Sequence, residues 1–483
     1  MFGATVVGWG VKVLTTACLD LLTCLKSGED LRLNPDGLHL VNTSGSASYP
    51  VLGGIPWLYA DTGAALFQWR SNISAFLESS RQEEESLAAA SSALDRSQAK
   101  TRVRLETMRS CRNNDRRSIA KLLRPVLRAA PESLSLDRIL AEKLPLTQSL
   151  TSYYSNVHRD WTWDLLLTEQ ESENRIALQH IVAASSGAFA TGEPCGVAAV
   201  FGAGACRLAY DIHMAHKQLE TIALDINPLL FAVARSVMMD EPVELCEYPL
   251  APTALAHHGI PRTLRAPQSV RPGFSMIHGD ALNPPLKGSS LDWLITPWFV
   301  DIVAQAPQQV LAVINRCLRP GGVWTNYGTV VFHTAEAADR WSVDEFFEGV
   351  QEAGFAFVGE PQFERVPYMA SPASSHARIE RVVHFSARKV HDAARTRLGR
   401  PAAVPPWALD PSIPVPRTQQ IAAFFEIHKA YAQLAGLIDG SRSVHDIAGI
   451  MAGSFGLPLD DARRAFLKVA LAAQEGQTSL PTA

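Results

Sequence analysis

The spacing of apolar residues changes several times along the chain, and each change predicts a different kind of element. Residues 1–62 carry short apolar runs broken by Gly, Asn and Pro, as in LRLNPDGLHLV and SYPVLGGIPWLYAD, which predicts a small β-rich unit. From Gly63 to Leu150 the apolar positions recur at helical spacing, so a helical region is expected over 63–150. Residues 151–390 alternate continuous apolar runs with amphipathic stretches. VAAVFGAG reads as a buried strand entering a glycine turn, CRLAYDIHMAH as the next helix, ETIALDIN as a strand and PLLFAVARSVMM as a helix. After a long Pro-containing excursion, FSMIHGDAL is a strand; DWLITPWFVD is one that stops on Asp301, and GGVWTNYGTVVFH is one that runs into His333. VDEFFEGVQEAG and ARIERVVHFSARK close the unit. This rhythm predicts an α/β, doubly wound sheet. Residues 391–418 are too rich in proline for core structure and predict a linker, and 419–483 predict a final helical module.

Composition narrows the function classes. A chain of 483 residues is expected to hold two or three folded units. A formal net charge of -4 and a pI of about 6.4 do not advertise a polyanionic partner. Basic residues crowd between Arg96 and Arg128, after Glu83, Glu84 and Glu85, with no aromatic residue among them. Helices with one charged face account for this, and an RNA-binding stripe is the alternative. Seven scattered cysteines without a C-x-x-C pair fit neither a disulfide framework nor an intact zinc ribbon, which points to a reducing cytoplasmic setting. The apolar first residues lack a basic leading segment and include Asp20, so neither a signal peptide nor a membrane span is expected.

The chemistry gathers in the α/β unit. Gly202, Ala203 and Gly204 follow an apolar strand, where glycine lets the backbone turn tightly and a ligand approach the next helix. Asp225 ends the second strand 21 residues after Gly204, where a carboxylate can take both ribose hydroxyls of a nucleoside cofactor. The third glycine of a dinucleotide fingerprint is absent, with Arg207 in its place, which argues against a pyrophosphate. Asp280, followed by Ala281, ends the third strand as expected of a carboxylate near adenine. With LRPGGVW as the turn into the fifth strand, the pattern is similar to class I methyltransferases, which implies S-adenosylmethionine.

Several stretches resemble the carnosine N-methyltransferase family in particular: HRDWTWD, FGAGACRLAYDI, RPGFSMIHGD, LITPWFVD and LRPGGVWTNYGTVVFH, spread from about Ser152 to Lys389. The resemblance implies a class I Rossmann-like fold that methylates an imidazole nitrogen of a histidine-containing small molecule or peptide. It implies Asp301 and His333 as catalytic and substrate-binding residues, with Trp298 and Tyr368 also on the substrate side. Cofactor contacts are expected from Arg159, Trp161, Gly202, Ala203, Gly204, Arg207, Asp225, Asp280, Ala281 and Thr296. A neutral imidazole nitrogen is already nucleophilic, so the enzyme's work is to fix the tautomer and aim the lone pair, which an Asp accepting the other ring N–H can do. Each residue also has a purely structural reading: Asp301 as a helix N-cap, His333 as a satisfied strand-end histidine, Arg207 as the partner of a surface acid, and Trp161 and Trp298 as core. The chain departs from the family at Pro297 (for Cys), Thr329 (for Pro) and Phe332 (for Tyr), and RVVHFSARK lacks an expected tyrosine. The acceptor can therefore differ from carnosine.

The flanks carry resemblances of their own. YPVLGGIPWL resembles a zinc-ribbon-like methyltransferase activator, but Cys24, Ser27, Asn42 and Gly45 stand at its four ligand positions, so no metal is expected. IDGSRSVHDIA resembles a PqqD-like peptide-chaperone module, which implies a carrier or modified peptide as partner, delivered by a small winged-helix-like domain. An RNA methyltransferase and a non-catalytic peptide scaffold are the competing functions, and nucleic acid is the less expected partner.

Overall fold

A computed structural model describes residues 14–131, 148–189, 192–303, 305–332, 337–393, 405–427 and 431–474. The N-terminal unit has helix α1 (Thr16–Leu21) and strands β1 (Leu31–Leu33), β2 (His39–Asn42), β3 (Ser48–Leu52) and β4 (Ile55–Leu58). Helices α2 (Thr62–Ser92), α3 (Ala99–Leu122), α4 (Arg124–Ala129) and α5 (Asn156–Trp161) follow, then α6 (Glu173–Ser185). The α/β unit runs β5 (Gly196–Phe201), α7 (Arg207–Ala215), β6 (Leu219–Asp225), α8 (Pro228–Met238), a hairpin of β7 (Val243–Glu247) and β8 (Ile260–Leu264), and β9 (Phe274–Gly279). It continues with β10 (Leu291–Pro297), α9 (Pro307–Cys317), β11 (Leu318–Gly328), α10 (Val343–Glu352), β12 (Phe355–Tyr368) and β13 (Arg378–Lys389). Last come α11 (Pro406–Leu409), α12 (Gln419–Ile427), α13 (Ala432–Ala435), α14 (Val444–Phe455) and α15 (Leu459–Gln474).

One sheet organises most of this, in the order β1-β2-β3-β4-β9-β6-β5-β10-β11-β13-β12. From β9 to β12 the strands lie, in chain order from β5, as 3-2-1-4-5-7-6, the class I methyltransferase arrangement. Pairing is parallel from β9 to β11 and antiparallel for β13 and β12. Helices cover both faces, so β5, β6, β9 and β10 read as continuous apolar runs rather than alternating ones. The order reverses between β5 and β10, which is where ligands of open α/β sheets bind, beyond the carboxyl ends of the strands.

The β-rich start is continuous with that sheet, because β4 pairs in parallel with β9, Trp57 opposite His278 and Leu58 opposite Gly279. Cys24, Ser27, Asn42 and Gly45 lie among hydrogen bonds rather than in a cluster of metal-binding side chains. Fully buried Asn42 donates through Nδ2 to the hydroxyls of Ser27 (3.2 Å), Ser44 (3.0 Å) and Ser46 (2.9 Å) and to Glu29. Its Oδ1 accepts from Ala47 N at 2.8 Å, and Cys24 Sγ lies 3.2 Å from the Tyr49 hydroxyl.

The basic stretch is partly neutralised. Arg112 pairs with Glu83 at 3.1 Å and Arg116 with Glu84 at 2.6 Å, linking α3 to α2. Asp115, buried between them, accepts from Cys246 N (2.8 Å) and from the hydroxyls of Tyr154 (2.9 Å) and Tyr248 (2.8 Å), tying α3 to β7.

Three expectations need correction. The strand before Asp301 stops at Pro297, and Trp298 turns the chain with φ +45°. The next strand ends at Gly328, so the segment toward His333 is not strand. Part of the expected linker is core: Trp407 and Val415 are buried with Phe424 and Phe466 in the C-terminal helical cluster.

Candidate active site

Strand β5 delivers the glycine loop to the carboxyl edge of the sheet. Gly202 and Gly204 have φ of +64° and +55°, which L side chains rarely adopt, and a Cβ on Gly202 would lie 2.8 Å from the Phe299 ring. Gly204 N donates to Asp225 Oδ2 and Asn227 N to Asp225 Oδ1, both at 2.8 Å, while Ala203 N donates to Leu224 O at 3.2 Å. The loop and the carboxylate at the end of β6 therefore hold each other. Burial pushes the Asp225 carboxyl up to about 6 despite these donors. Asp280, just past β9, accepts from Leu282 N at 2.8 Å, and burial raises its pKa as well; Ala281 beside it is buried.

Helix α5 supplies Arg159 and Trp161. The Trp161 indole donates to Ala205 O at 2.9 Å and so props the glycine loop from below. Arg159 Nε donates to Asp160 Oδ1 at 2.7 Å, and its guanidinium lies 5.8 Å from the Trp298 ring centre; Nη2 makes no hydrogen bond among the described residues. Arg207 is differently placed. Its Nε donates to Asp211 (2.9 Å), its Nη1 to Asp160 O (2.6 Å), and its Nη2 pairs with Asp164 (2.8 Å). A guanidinium engaged on all three nitrogens holds α5 to α7, and its fork is not open to a ligand carboxylate. Thr296 points away from a ligand too: its hydroxyl donates to Asn326 Oδ1 (3.0 Å) and accepts from the Trp324 indole (2.8 Å) in the buried layer of the sheet.

Opposite the glycine loop stands Asp301. It does not cap α9, whose N-cap is Ala306. Asp301 Oδ2 accepts from the Thr329 hydroxyl at 2.7 Å and from Val331 N at 3.0 Å, so the segment after β10 is fastened to the one after β11. Oδ1 is buried and has no hydrogen-bond partner among the described residues. Burial pushes this carboxyl up to about 6. His333 lies outside the described residues; Val331, two residues before it, is the nearest bonded point.

Trp298 and Tyr368 form an aromatic wall. Their rings lie 5.6 Å apart, Trp298 packs edge-on against Tyr327 at 4.8 Å, and its indole donates to Glu380 Oε2 at 3.1 Å. Gly328 makes the tight approach to Trp298 feasible, since a Cβ there would sit 2.8 Å from the Trp298 backbone. Tyr153, held in a left-handed conformation (φ 60°), completes the wall: its phenol feels the charges of both Asp225 and Asp301 and the phenol of Tyr368. Its electrostatic neighbours thus come from the end of β6 and from the segment after β10. Sequence reasoning missed Tyr153 and Glu380, because no local motif marks a residue whose neighbours come from other strands. The non-glycine left-handed turn is invisible in composition.

A sequence model of the carnosine N-methyltransferase family matches residues 140–391. The chain belongs to the carnosine N-methyltransferase family. Family members depend on S-adenosylmethionine, and every residue of the site above falls within the match. The carnosine N-methyltransferases of Rattus norvegicus and Mus musculus are each 28% identical over 129 residues, 26% of this chain and 32% of theirs, so the chain matches about a third of their length. Among solved structures, phosphoethanolamine N-methyltransferase 2 of Haemonchus contortus is similar at 14% identity (49% of this chain, 47% of that one, TM-score 0.29). The CurJ carbon methyltransferase is similar at 13% identity (63% and 71%, TM-score 0.33).

Proposed function

We propose that the protein is an S-adenosylmethionine-dependent N-methyltransferase whose acceptor is an imidazole ring of a histidine-containing small molecule or peptide. The observation that carries this reading is the buried Oδ1 of Asp301, which has no hydrogen-bond partner among the described residues and lies at the same sheet edge as Asp225. A buried carboxylate oxygen calls for an N–H or O–H donor, which the ring N–H of an imidazole acceptor can supply.

The donor half fits adenosine. Asp225 offers the ribose a carboxylate already oriented by Gly204 and Asn227, Asp280 stands at the adenine side, and Gly202–Gly204 leave room for close approach. Arg159, with Nη2 open, takes over the expected role of Arg207 at the methionine carboxylate. When bound, S-adenosylmethionine supplies an electrophilic methyl group on a sulfonium. The chain's own part is orientation: Asp301 Oδ1 accepts one ring N–H, which leaves the lone pair of the other nitrogen facing the donor half. N-methylation leaves the ring cationic, and Asp301 then faces the N–H whose proton must depart. Trp298, Tyr368 and Tyr153 enclose the flat ring, and His333 is proposed as a second polar contact on the resemblance alone. The carrier role of 419–483 likewise rests only on its PqqD-like resemblance.

The test is to incubate the protein with methyl-labelled S-adenosylmethionine and, in parallel, carnosine, histidine-containing peptides and RNA, locating the label by mass spectrometry. Label on an imidazole nitrogen is expected. Label only on RNA, or only on a non-imidazole amine, overturns the reading.

A further inference from the structure

We infer that Tyr59, at the end of β4, belongs to the donor site and donates a hydrogen bond to the adenosine half of S-adenosylmethionine. The inference rests on the cofactor reading above and adds a residue from outside the family match, since Tyr59 precedes residue 140.

Register puts it there. Strand β4 runs parallel to β9, with Leu58 opposite Gly279, so the next residue of each strand, Tyr59 and Asp280, leaves the sheet side by side at the carboxyl edge. An open α/β sheet binds ligands at that edge. The phenol hydroxyl is buried and has no hydrogen-bond partner among the described residues. Its electrostatic neighbours are the carboxylates of Asp280 and Asp225, the two groups assigned to adenine and ribose, and it is bonded to neither. The indole N–H of Trp69, from α2, is the phenol's nearest hydrogen-bonding group, just beyond bonding distance; an indole only donates, so it leaves the phenol proton without an acceptor.

Leaving a hydroxyl buried and unpaired is costly, and phenylalanine would fill the same volume without that cost. A phenol that leaves the sheet beside Asp280 and feels the charge of both carboxylates is explained if a ligand bound at that edge accepts a hydrogen bond from it. The N-terminal unit then does more than extend the sheet: it supplies one wall of the pocket, with Tyr59 as its polar contact.

The experiment measures binding to the full-length protein by isothermal titration, using S-adenosylmethionine, S-adenosylhomocysteine and 5′-methylthioadenosine, which lacks the amino-acid half. Tyr59→Phe is expected to weaken all three by about 5- to 15-fold, the loss of one hydrogen bond. Without ligand it should melt at or above the wild-type temperature. Tyr49→Phe, in the same unit but bonded to Cys24, should leave the three affinities unchanged. Unchanged affinity in Tyr59→Phe overturns the inference, as does a loss confined to the two ligands that carry the amino-acid half. A wild-type protein that binds none of the three overturns the cofactor reading beneath it instead.

Discussion

The hydroxyl of Thr329 donates to Asp301 Oδ2 at 2.7 Å, joining the segments that follow two neighbouring strands. The bond orients the acid through a side chain that only Ser or Thr could supply at this position without lengthening it. Replacing Thr329 by Val removes a donor to a charged acceptor, a loss of roughly 1.5–3 kcal/mol. We expect kcat/KM to fall about 10- to 100-fold, S-adenosylhomocysteine affinity to stay within about 2-fold, and Thr329→Ser to restore activity. Steady-state kinetics and titration on the three proteins check this.

Asp301→Asn should abolish methyl transfer and leave cofactor affinity nearly unchanged. It should also stabilise the protein. Burial raises the folded-state pKa from 3.8 to about 6, so the folded chain binds this proton more tightly than the unfolded chain does. Stability from this group is therefore full at low pH, is lost as pH rises from about 4 to 6, and stays lost above. Removing the charge returns roughly 1–3 kcal/mol at pH 7.5, and the gap to wild type should narrow toward pH 4 in thermal melts. A matched loss of cofactor binding would put Asp301 in the donor half.

Asp225 should make cofactor binding pH-dependent. Its carboxyl, pushed up to about 6, must be ionised to accept both ribose hydroxyls. S-adenosylhomocysteine affinity should hold from pH 8 to 7 and fall about tenfold for each unit below 6; Asp225→Ala should bind weakly at every pH and lose the dependence. A flat wild-type profile from pH 8 to 5 would contradict this.

Arg207→Met should unfold the protein more readily rather than empty the donor site. It strands the buried carboxylates of Asp164 and Asp211, and breaking such a network costs about 3–5 kcal/mol. Denaturant melts should show that loss, while affinity for S-adenosylhomocysteine, measured at low temperature, stays within about 3-fold. A stable variant that no longer binds would reinstate Arg207 as the cofactor clamp.

Chelation should leave the N-terminal unit intact. Among the described residues no group of three or more His, Cys, Asp and Glu side chains is placed to hold a metal, and the Asn42 amide is engaged by the hydroxyls of Ser27, Ser44 and Ser46. We expect the melting temperature to be the same with and without EDTA, whereas Asn42→Ala, which removes the one buried amide that ties together the exposed hydroxyls of Ser27, Ser44 and Ser46, should cost about 1 kcal/mol.

Periodicity and short motifs were enough to find the strand and helix rhythm of residues 196–389, the glycine loop and the carboxylates of Asp225, Asp280 and Asp301. These are local properties: a glycine with positive φ or an acid at a strand end is written within a few residues of chain. The partners of each side chain were not local. Arg207 is engaged by Asp211 of its own helix and, from outside it, by the Asp160 carbonyl and the Asp164 carboxylate, Thr296 by two residues of β11, and Asp301 by the segment beyond β11, so their availability to a ligand depended on packing. Strand pairing alone brought Tyr59 beside Asp280, more than 200 residues away, because a sheet edge gathers strand ends without regard to their order in the chain. Residue type and local spacing thus determined which chemistry was present, and the tertiary structure decided which groups were left without partners to perform it.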